Sequence, residues 1–397
     1  MAAGRAGELG ARVVLIEKNS SLGKKLLITG KGRCNITQAE FDDREFLKTF
    51  GKNAKFLFSS LAVFGPAEVV EFFESRGLKT KVERGGRVFP VSDRARDVLN
   101  VLSRYLKENK VEIKIGTGVL GFDSSQHHIN RVKLAGGSVI EAKNFIIATG
   151  GKSYPATGST GDGYDWAKNL GHTIVEMRPA LTPVKIKEAW PKSISGLSLK
   201  NVAINIFQGG KEQDSRFGEM LFTHFGISGP IVLDASKKIG ELLKNGRVEI
   251  QIDLKPALDF AKLDERIQRD FKTTGKKDFI NYLPGLLPKK LIPIFAGLSG
   301  INPRKKISFI TKEERQSLAK ALKCLKLTVD SVVGYDQAII TSGGVSLAEV
   351  EPRTMKSKLI DNLYLAGEIL DLDGPTGGYN LQVCWSTGYA AGTAAAV

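Results

Sequence analysis

The chain has 397 residues, a formal net charge of +16 and a hydrophobic content of 42%. This length and composition are typical of a folded protein with two or three domains and exclude an intrinsically disordered chain. Three widely spaced cysteines and four histidines indicate neither a disulfide framework nor a metal centre, so we predict no metal ligands.

The apolar residues are distributed as in a globular protein. No continuous apolar run approaches the roughly 18 to 20 residues that a membrane helix requires. The amino terminus also lacks a charged segment followed by an apolar one, as a secretory signal would have. We therefore expect a cytoplasmic protein without a membrane partner.

The positive charge raises the hypothesis of nucleic-acid binding, because clustered Lys and Arg gain free energy by releasing phosphate counterions. The basic groups are scattered, however, and Lys276/Lys277, Lys289/Lys290 and Arg304–Lys306 lie in segments that also carry acids. A solvated face is the favoured interpretation, so nucleic acid is not expected as a partner. The oligomeric state is not defined by the sequence.

The first elements are typical of a dinucleotide-binding unit. Residues 2–9 are helical in character and end at Gly10, and the apolar strand 13–16 runs directly into Glu17. In dinucleotide-binding folds, an acid at the end of the second strand accepts hydrogen bonds from the adenosine ribose. A first strand and a G-x-G-x-x-G loop would precede this helix. Either the start lies upstream of Met1 or the protein lacks that loop, and the sequence leaves both open.

The next segment, residues 18–37, is rich in Gly and Lys, which favours a functional loop over a simple connection. Helical periodicity then marks residues 54–76 and 93–109, which we expect to pack beside a sheet. Short apolar runs separated by turn residues follow over 111–148 and predict a small meander.

The last strand of this region, residues 144–148, ends in Thr149-Gly150-Gly151. The following Lys152-Ser153 completes a Gly-Lys-Ser sequence, the tail of a nucleotide triphosphate loop. Ile146 stands where that loop requires a glycine, so a triphosphate loop is rejected.

The pattern changes near Pro179, after which strand-like runs dominate residues 184–254 and predict an inserted β domain. Residues 257–326 are helical and rich in Lys, and Thr311 with Glu314 has the spacing of a helix capping box. Strands over 327–333 and 337–341 would lead back to the first domain.

The segment from Asn362 to Gly392 is the most informative. A short apolar strand, residues 363–366, is followed by acidic residues, by Gly374, Gly377 and Gly378, and by a helix of small residues. Unpaired N–H groups and the positive dipole end at such a helix start favour an anion or an electron-rich ring such as a flavin. The alternative is a glycine-rich loop that only caps a buried helix.

Six ordered blocks carry a resemblance over nearly the whole chain. They are EKNSSLGKKLLITGKGRCNIT from Glu17, GRVFPVSDRARDV from Gly86, IIATGGKSYPATGSTGDGY from Ile146, GEMLFTHFGISGP from Gly218, TSGGVSLAEV from Thr341, and the carboxyl-terminal segment. Together they resemble a family of bacterial FAD-dependent flavoproteins that includes aminoacetone oxidase-like enzymes and bile-acid reductases. The departure from the family pattern is the absent G-x-G-x-x-G segment.

The resemblance implies an α/β fold: a two-dinucleotide-type, Rossmann-like FAD-binding domain with an inserted β-rich domain and a helical subdomain. The FAD-binding domain would comprise 1–178 and 335–397. The β-rich substrate domain would comprise 179–256, and the helical subdomain with its return strand 257–334.

The motifs and the resemblance together predict a cofactor site for FAD. The predicted cofactor-binding residues are Glu17, Lys18, Gly23, Lys24, Lys25, Gly30, Arg33, Asn35, Ala148, Thr149, Gly150, Gly151, Ser342, Gly343, Gly344, Gly367, Glu368, Asp373, Gly377, Gly378, Tyr379 and Asn380. Arg33 and Asn35 are of interest because a planar guanidinium or amide can satisfy a ring carbonyl. Tyr379 could form an apolar lid over the ring or belong to the core.

The implied reaction is hydride transfer between flavin N5 and a small organic or steroid-like substrate, with oxygen or transient NAD(P)H completing the cycle. His224 is the candidate catalytic acid or base, because imidazole exchanges protons near neutral pH; a structural histidine is the alternative. A competing hypothesis is a non-catalytic or RNA-associated protein that has lost its phosphate-binding loop. The sequence defines neither the substrate nor whether the protein is an oxidase or a reductase.

Overall fold

The computed structural model describes residues 1–397, which divide into two compact units. Unit 1 comprises Met1–Pro179 and Tyr335–Val397, and unit 2 comprises Ala180–Gly334. The strand-rich and helical segments that the sequence separates, 179–256 and 257–334, share one hydrophobic core in unit 2.

The elements are numbered in chain order. The helices are α1 (Ala2–Glu8), α2 (Lys24–Ile28), α3 (Asp43–Lys48), α4 (Ala54–Val63), α5 (Pro66–Glu74), α6 (Ala95–Glu108), α7 (Asp162–Asn169), α8 (Trp190–Ser193), α9 (Pro230–Leu243), α10 (Phe260–Thr274), α11 (Phe279–Tyr282), α12 (Ile292–Leu298), α13 (Lys312–Lys323) and α14 (Tyr379–Ala395). The strands are β1 (Val14–Glu17), β2 (Thr37–Gln38), β3 (Thr80–Glu83), β4 (Arg87–Pro90), β5 (Glu112–Ile115), β6 (Val119–Ser125), β7 (His128–Leu134), β8 (Val139–Glu141), β9 (Phe145–Ile147), β10 (Ile174–Ala180), β11 (Val184–Ile186), β12 (Ser198–Gln208), β13 (Lys211–Phe222), β14 (Gly226–Ser228), β15 (Val248–Asp253), β16 (Leu325–Val332), β17 (Ile340–Val345) and β18 (Leu363–Leu365).

Two parallel ladders organise unit 1. Strand β1 pairs with β5, with Val14 opposite Glu112, and β9 pairs with β18, with Phe145 opposite Leu363. All three residues of β18 are buried, as is typical of parallel strands covered on both faces. In doubly wound folds, ligands bind beyond the carboxyl ends of such strands, so the fold directs attention to the residues after β1, β9 and β18.

Helix α14 is the central helix of unit 1, and glycines let α1 pack close to it. A Cβ added to Gly392 would strike the backbone of Ala2, and one on Gly388 would lie 3.4 Å from Met1 Cβ. The two helices therefore approach to backbone contact, and α14 is held firmly behind the turn that precedes it.

Two sequence predictions about unit 1 need correction. Residues 54–76 form two helices rather than one, because Pro66 lacks an N–H group and its ring cannot be accommodated inside a helix, so α4 ends at Val63 and α5 begins at Pro66. The predicted functional loop 18–37 contains helix α2. By length and composition Gly51–Glu74 could cross a membrane, but 56% of its most apolar window is buried in the fold, as expected for core helices.

Unit 2 is built on a closed six-stranded barrel with the order β11-β14-β13-β12-β15-β16. Inward-facing residues such as Ile204, Ile206 and Ile250 alternate with more exposed ones and are fully buried, which is the period of two that a barrel wall requires. The sequence predicted that strands dominate 184–254, and α9, which it did not predict, lies within this stretch and buries its apolar side in the barrel core.

Helices α10 to α13 pack against the same core. The capping box predicted for α13 is confirmed: Glu314 N donates to Thr311 Oγ1 at 3.3 Å, and Thr311 N donates to Glu314 Oε2 at 2.8 Å. Two otherwise unpaired donors at the helix start are satisfied in this way.

A buried serine–histidine–glutamate chain in unit 1 was not apparent from the sequence. Ser357 Oγ lies 2.9 Å from His172 Nε2, and His172 Nδ1 lies 3.2 Å from Glu349 Oε2. Ser357 Oγ also accepts the N–H groups of Leu359 and Ile360, and the hydroxyl is buried. These bonds fit a neutral imidazole that donates to Glu349, and the arrangement is structural rather than nucleophilic.

This chain predicts a pH-dependent stability. Burial lowers the pKa of His172 and outweighs the opposing effect of Glu349. Because the unfolded chain then binds a proton more readily below about pH 6.5, the free energy of unfolding should fall as the pH decreases through that value toward the folded-state pKa. His172→Gln should flatten this part of a urea-unfolding pH profile, while His127→Gln, at an exposed site, should leave it unchanged. An equally steep profile in His172→Gln would contradict the assignment.

Candidate cofactor site

The carboxyl end of β9 runs into a glycine pair beside β17. Residues 148 and 149 are exposed, Gly150 is half-buried and Gly151 is buried. A Cβ on Gly151 would lie 2.7 Å from Thr341 Cβ and 3.0 Å from Glu368 Oε1. The backbone therefore passes this polar cluster more closely than any side chain would allow.

Glu368 joins three distant parts of the chain at this point. Lys25 Nζ donates to Glu368 Oε2 at 2.8 Å and to the Ser153 carbonyl at 3.2 Å. The Thr341 N–H donates to Glu368 Oε1 at 2.8 Å, and Thr341 Oγ1 in turn accepts the N–H of Lys152 at 2.8 Å. The ends of β9 and β18 and the start of β17 are thus fixed to the loop after β1.

The Lys25–Glu368 pair should be energetically coupled. Its side chains are 25% and 14% exposed, so removing one partner leaves a poorly hydrated charge. We expect Lys25→Met and Glu368→Gln each to lower the free energy of unfolding by about 2 kcal/mol, and the double variant to lose at least ~1 kcal/mol less than their sum. Urea unfolding measures this cycle. The exposed pair Lys48–Glu45 is the control, with coupling below about 0.5 kcal/mol, and strict additivity at Lys25–Glu368 would contradict the expectation.

Glu17 lies at the end of β1, and one of its two carboxylate oxygens accepts hydrogen bonds from the protein. Glu17 Oε1 accepts the backbone N–H of Asn19 at 2.8 Å and its Nδ2 at 2.9 Å, while Asn19 Nδ2 also donates to the Thr157 carbonyl at 3.0 Å. The second oxygen, Oε2, remains available to a hydroxyl donor. Neighbouring Lys18 pairs with Asp162 at 2.6 Å, which ties this strand end to the start of α7.

The loop after β1 is tightly packed at its predicted glycines. A Cβ on Gly23 would lie 2.6 Å from Leu99 Cδ1, and one on Gly30 would lie 2.9 Å from the backbone nitrogen of Asn35. Lys24 lies at the start of α2 and is half-buried. These glycines therefore serve loop packing as well as any approach to a ligand.

Arg33 and Asn35 differ in availability. The Arg33 guanidinium donates to both oxygens of Glu83, at 2.8 and 3.1 Å, and lies 3.9 Å over the Phe89 ring. It is thus committed to a protein partner, and the hydrogen bonds that it donates to Glu83 raise the pKa of Arg33. Asn35 Oδ1, by contrast, is buried without a hydrogen-bond partner. An acceptor in this state costs free energy unless a ligand donor meets it.

Ser342, Gly343 and Gly344 lie within strand β17 and pack closely against neighbouring segments. Ser342 Oγ donates to Asp373 Oδ1 at 2.9 Å. A Cβ on Gly343 would lie 2.8 Å from the Glu176 carbonyl carbon, and one on Gly344 would lie 3.0 Å from that of Leu370. The glycines let β17 pass between two neighbouring backbones.

The turn before α14 is held in place by hydrogen bonds to residues of α14. The Gly367 N–H donates to Thr387 Oγ1 at 2.9 Å. Asn380 Oδ1 accepts the Gly374 N–H, and its Nδ2 donates to the Gly374 carbonyl, both at 2.9 Å. Gly378 precedes the first helical residue with φ +105°, and no side chain caps the helix. The first N–H groups of α14 therefore begin directly after Gly377-Gly378.

Two further predicted residues make contacts between rings. The Tyr379 ring contacts Phe46 at 4.8 Å and Phe50 at 6.3 Å between centroids, so it belongs to an aromatic cluster at the edge of the core. His224 lies in unit 2, exposed on the connection from β13 to β14, with its ring 4.8 Å from that of Phe225. All the other predicted site residues belong to unit 1.

These groups fit FAD. The structure supplies a carboxylate oxygen at Glu17, a buried acceptor at Asn35 and an uncapped 17-residue helix after Gly377-Gly378. They match a ribose hydroxyl, a ring N–H and the electron-rich edge of a flavin, respectively. Sequence reasoning missed Asn19, Ser153 and Thr341 as organisers of the site; a polar Thr at the start of the TSGG block was the only signal.

Fold and site together define a Rossmann-like, FAD-binding flavoprotein of the oxidoreductase class. The chain belongs to the HI0933-like protein Rossmann domain family, whose model matches residues 1–394. The resemblance and the fold class predicted from the sequence are thereby confirmed.

Among curated relatives, the chain is 36% identical over 388 residues to a 3-dehydro-bile acid delta(4,6)-reductase of Clostridium scindens, covering 97% of this chain and 93% of that protein. It is 29% identical over 392 residues to a ribosomal RNA dihydrouridine synthase of Haemophilus influenzae, covering 98% and 93%. The structure of a 3-ketosteroid-delta4-(5alpha)-dehydrogenase from Rhodococcus jostii RHA1 aligns with a TM-score of 0.55 at 14% identity, covering 100% and 94% of the two chains. That likeness concerns the fold alone.

Proposed function

We propose that the protein is an FAD-dependent reductase acting on a carbon–carbon double bond conjugated to a carbonyl group, in a small or steroid-like substrate. The observation that carries this proposal is the 36% identity, over 97% of the chain, to a relative named 3-dehydro-bile acid delta(4,6)-reductase. That name denotes a carbonyl at position 3 with double bonds at positions 4 and 6.

The residues of unit 1 would hold the cofactor. Glu17 Oε2 would accept a ribose hydroxyl, and Asn35 Oδ1 would accept the ring N–H. The N–H groups at the start of α14 would stabilise negative charge on the ring, because the positive end of the helix dipole lies there. Bound FAD, once reduced, would supply a hydride from its N5 atom. NAD(P)H is the proposed reductant, and it would visit transiently because the chain shows no second glycine fingerprint.

Reduction of a conjugated double bond also requires a proton at the carbon next to the carbonyl. His224 is the proposed donor, because its side chain is exposed and therefore accessible to a substrate. Imidazole is suited to this role near neutral pH.

Anaerobic half-reactions test the proposal. The chemically reduced holoenzyme should be reoxidised by a 3-oxo-Δ4 steroid with formation of the saturated ketone, and it should not be reoxidised by that saturated 3-ketone, which lacks the conjugated double bond. Reoxidation by oxygen alone, with no conjugated ketone accepted from a panel of steroid and non-steroid compounds, would instead indicate an oxidase.

A second candidate is an RNA-associated flavoprotein. It is favoured by two relatives named ribosomal RNA dihydrouridine synthase, from Haemophilus influenzae and Escherichia coli at 29% and 28% identity, and by the net charge of +16. Incubating the reduced holoenzyme with ribosomal RNA and measuring dihydrouridine distinguishes this candidate from the first.

A further inference from the structure

Two basic pairs that are separate in the sequence meet on the surface of unit 2. The N–H of Ile307 donates to the Lys277 carbonyl at 3.0 Å, and the N–H of Ser308 donates to the Gly275 carbonyl at 3.1 Å. An antiparallel bridge also joins Asp278 to Lys306. Residues 275–279 and 305–308 therefore run side by side, at the spacing of about 5 Å that is usual for paired strands.

An exposed aromatic ring lies at the end of this pairing. Phe309 closes the short 3-10 turn Ile307–Phe309 and is 72% exposed, the highest value for any phenylalanine in the chain. We call this ring together with Lys276, Lys277, Arg304 and Lys306 the Phe309 patch. All four basic residues are exposed.

Most of the charge in the Phe309 patch is not neutralised by the protein. Lys306 pairs with Asp278 at 2.8 Å. Lys276, Lys277 and Arg304 make no side-chain hydrogen bond or ion pair. Three free cations and a solvent-exposed ring on these paired segments combine electrostatic attraction for phosphates with a surface on which a base can stack.

We propose that the Phe309 patch binds single-stranded RNA, with a base stacked on Phe309 and the backbone phosphates on Lys276, Lys277 and Arg304. A lipid surface fits less well, because the paired segments expose Ser308 and four basic residues rather than the wide apolar face that an interfacial segment presents. The basic residues of the patch are scattered in the sequence, and the fold brings them together by pairing residues 275–279 with residues 305–308. It holds whichever double bond the enzyme reduces.

Equilibrium binding of a fluorescent oligouridylate of roughly 12 nucleotides, a length within the range of single-stranded sites, tests the proposal on the full-length holoenzyme. Phe309→Ala and the double variant Lys276→Glu/Lys277→Glu should each weaken binding by about tenfold or more. The double variant should also show a shallower dependence of affinity on salt.

Matched controls lie in the same unit. Phe217→Ala removes another exposed phenylalanine, 65% exposed, and Lys200→Glu/Lys211→Glu makes the same charge change at two exposed barrel positions. Both should bind within about twofold of the unmodified protein if the patch is specific. Equal weakening by patch and control variants, no measurable binding by the unmodified protein, or binding to phosphatidylserine vesicles in place of RNA would overturn the proposal. Because catalysis is not measured, failure would leave the proposed reductase untouched.

Discussion

Gly378→Ala is expected to destabilise unit 1 and to abolish tight FAD binding. The added Cβ would overlap the carbonyl of Thr37 and lie 2.9 Å from the backbone nitrogen of Gln38. Thr37 cannot easily retreat, since its hydroxyl donates to Gln382 Oε1 at 2.5 Å and Gln382 Nε2 donates to the Phe64 carbonyl at 3.1 Å. The start of α14 must therefore shift, and the N–H donors that we propose to face the cofactor shift with it.

Gly377→Ala is the matched control for this substitution. Gly377 and Gly378 both have positive φ, +118° and +105°, so both variants carry about 1–2 kcal/mol of backbone strain. The nearest atom to a Cβ at Gly377 is Gln38 Nε2, at an ordinary 3.4 Å. We expect Gly378→Ala to lose a further ~1–3 kcal/mol from steric overlap. Urea unfolding of the two apoproteins measures the difference, and equal losses would show that overlap with Thr37 has no cost.

His224→Gln is expected to lower kcat for reduction of a conjugated ketone by about 100-fold, the range typical of a lost general acid. Glutamine keeps the polarity of the side chain but cannot supply a proton. Reduction of the bound flavin by NAD(P)H should proceed at the unmodified rate, because only the proton to the substrate is lost.

A matched control makes the His224 prediction specific. Flavin content should remain unchanged in His224→Gln, so that the loss of kcat is not a loss of cofactor. His127→Gln, which replaces another exposed histidine on the hairpin from β6 to β7, should retain the unmodified kcat. If His224→Gln retains the unmodified kcat, the proton that is added to the substrate comes from solvent or from another group.

Strand ends and helix starts could be predicted from the sequence where they depend only on residues that are neighbours in the chain. The apolar run before Glu17 and the three glycines before α14 predicted strand ends and a helix start because backbone geometry there depends on neighbouring residues. Pro66 indicates a helix break, but the apolar residues on both sides of it follow a helical period, and this period alone does not reveal the break. Helix α9 was missed because its apolar residues lie among strand-like runs.

Contacts between distant segments could not be predicted from one sequence. Lys25 and Glu368 are 343 residues apart, and nothing in either motif indicates that they form an ion pair. The engagement of Arg33 by Glu83 likewise depends on the fold that brings β3 beside the loop after β1. The same holds for the Phe309 patch, whose two basic pairs become neighbours only through tertiary backbone pairing.

Calorimetric titration of the folded apoprotein with FAD tests the central claim, that the residues around Glu17, Asn35 and the start of α14 form a flavin site. We predict one FAD per chain, with a visible flavin spectrum shifted from that of free FAD, and clearly weaker binding by Gly378→Ala than by Gly377→Ala. A folded protein that takes up no FAD, or one that binds it equally well in both variants, would contradict the account.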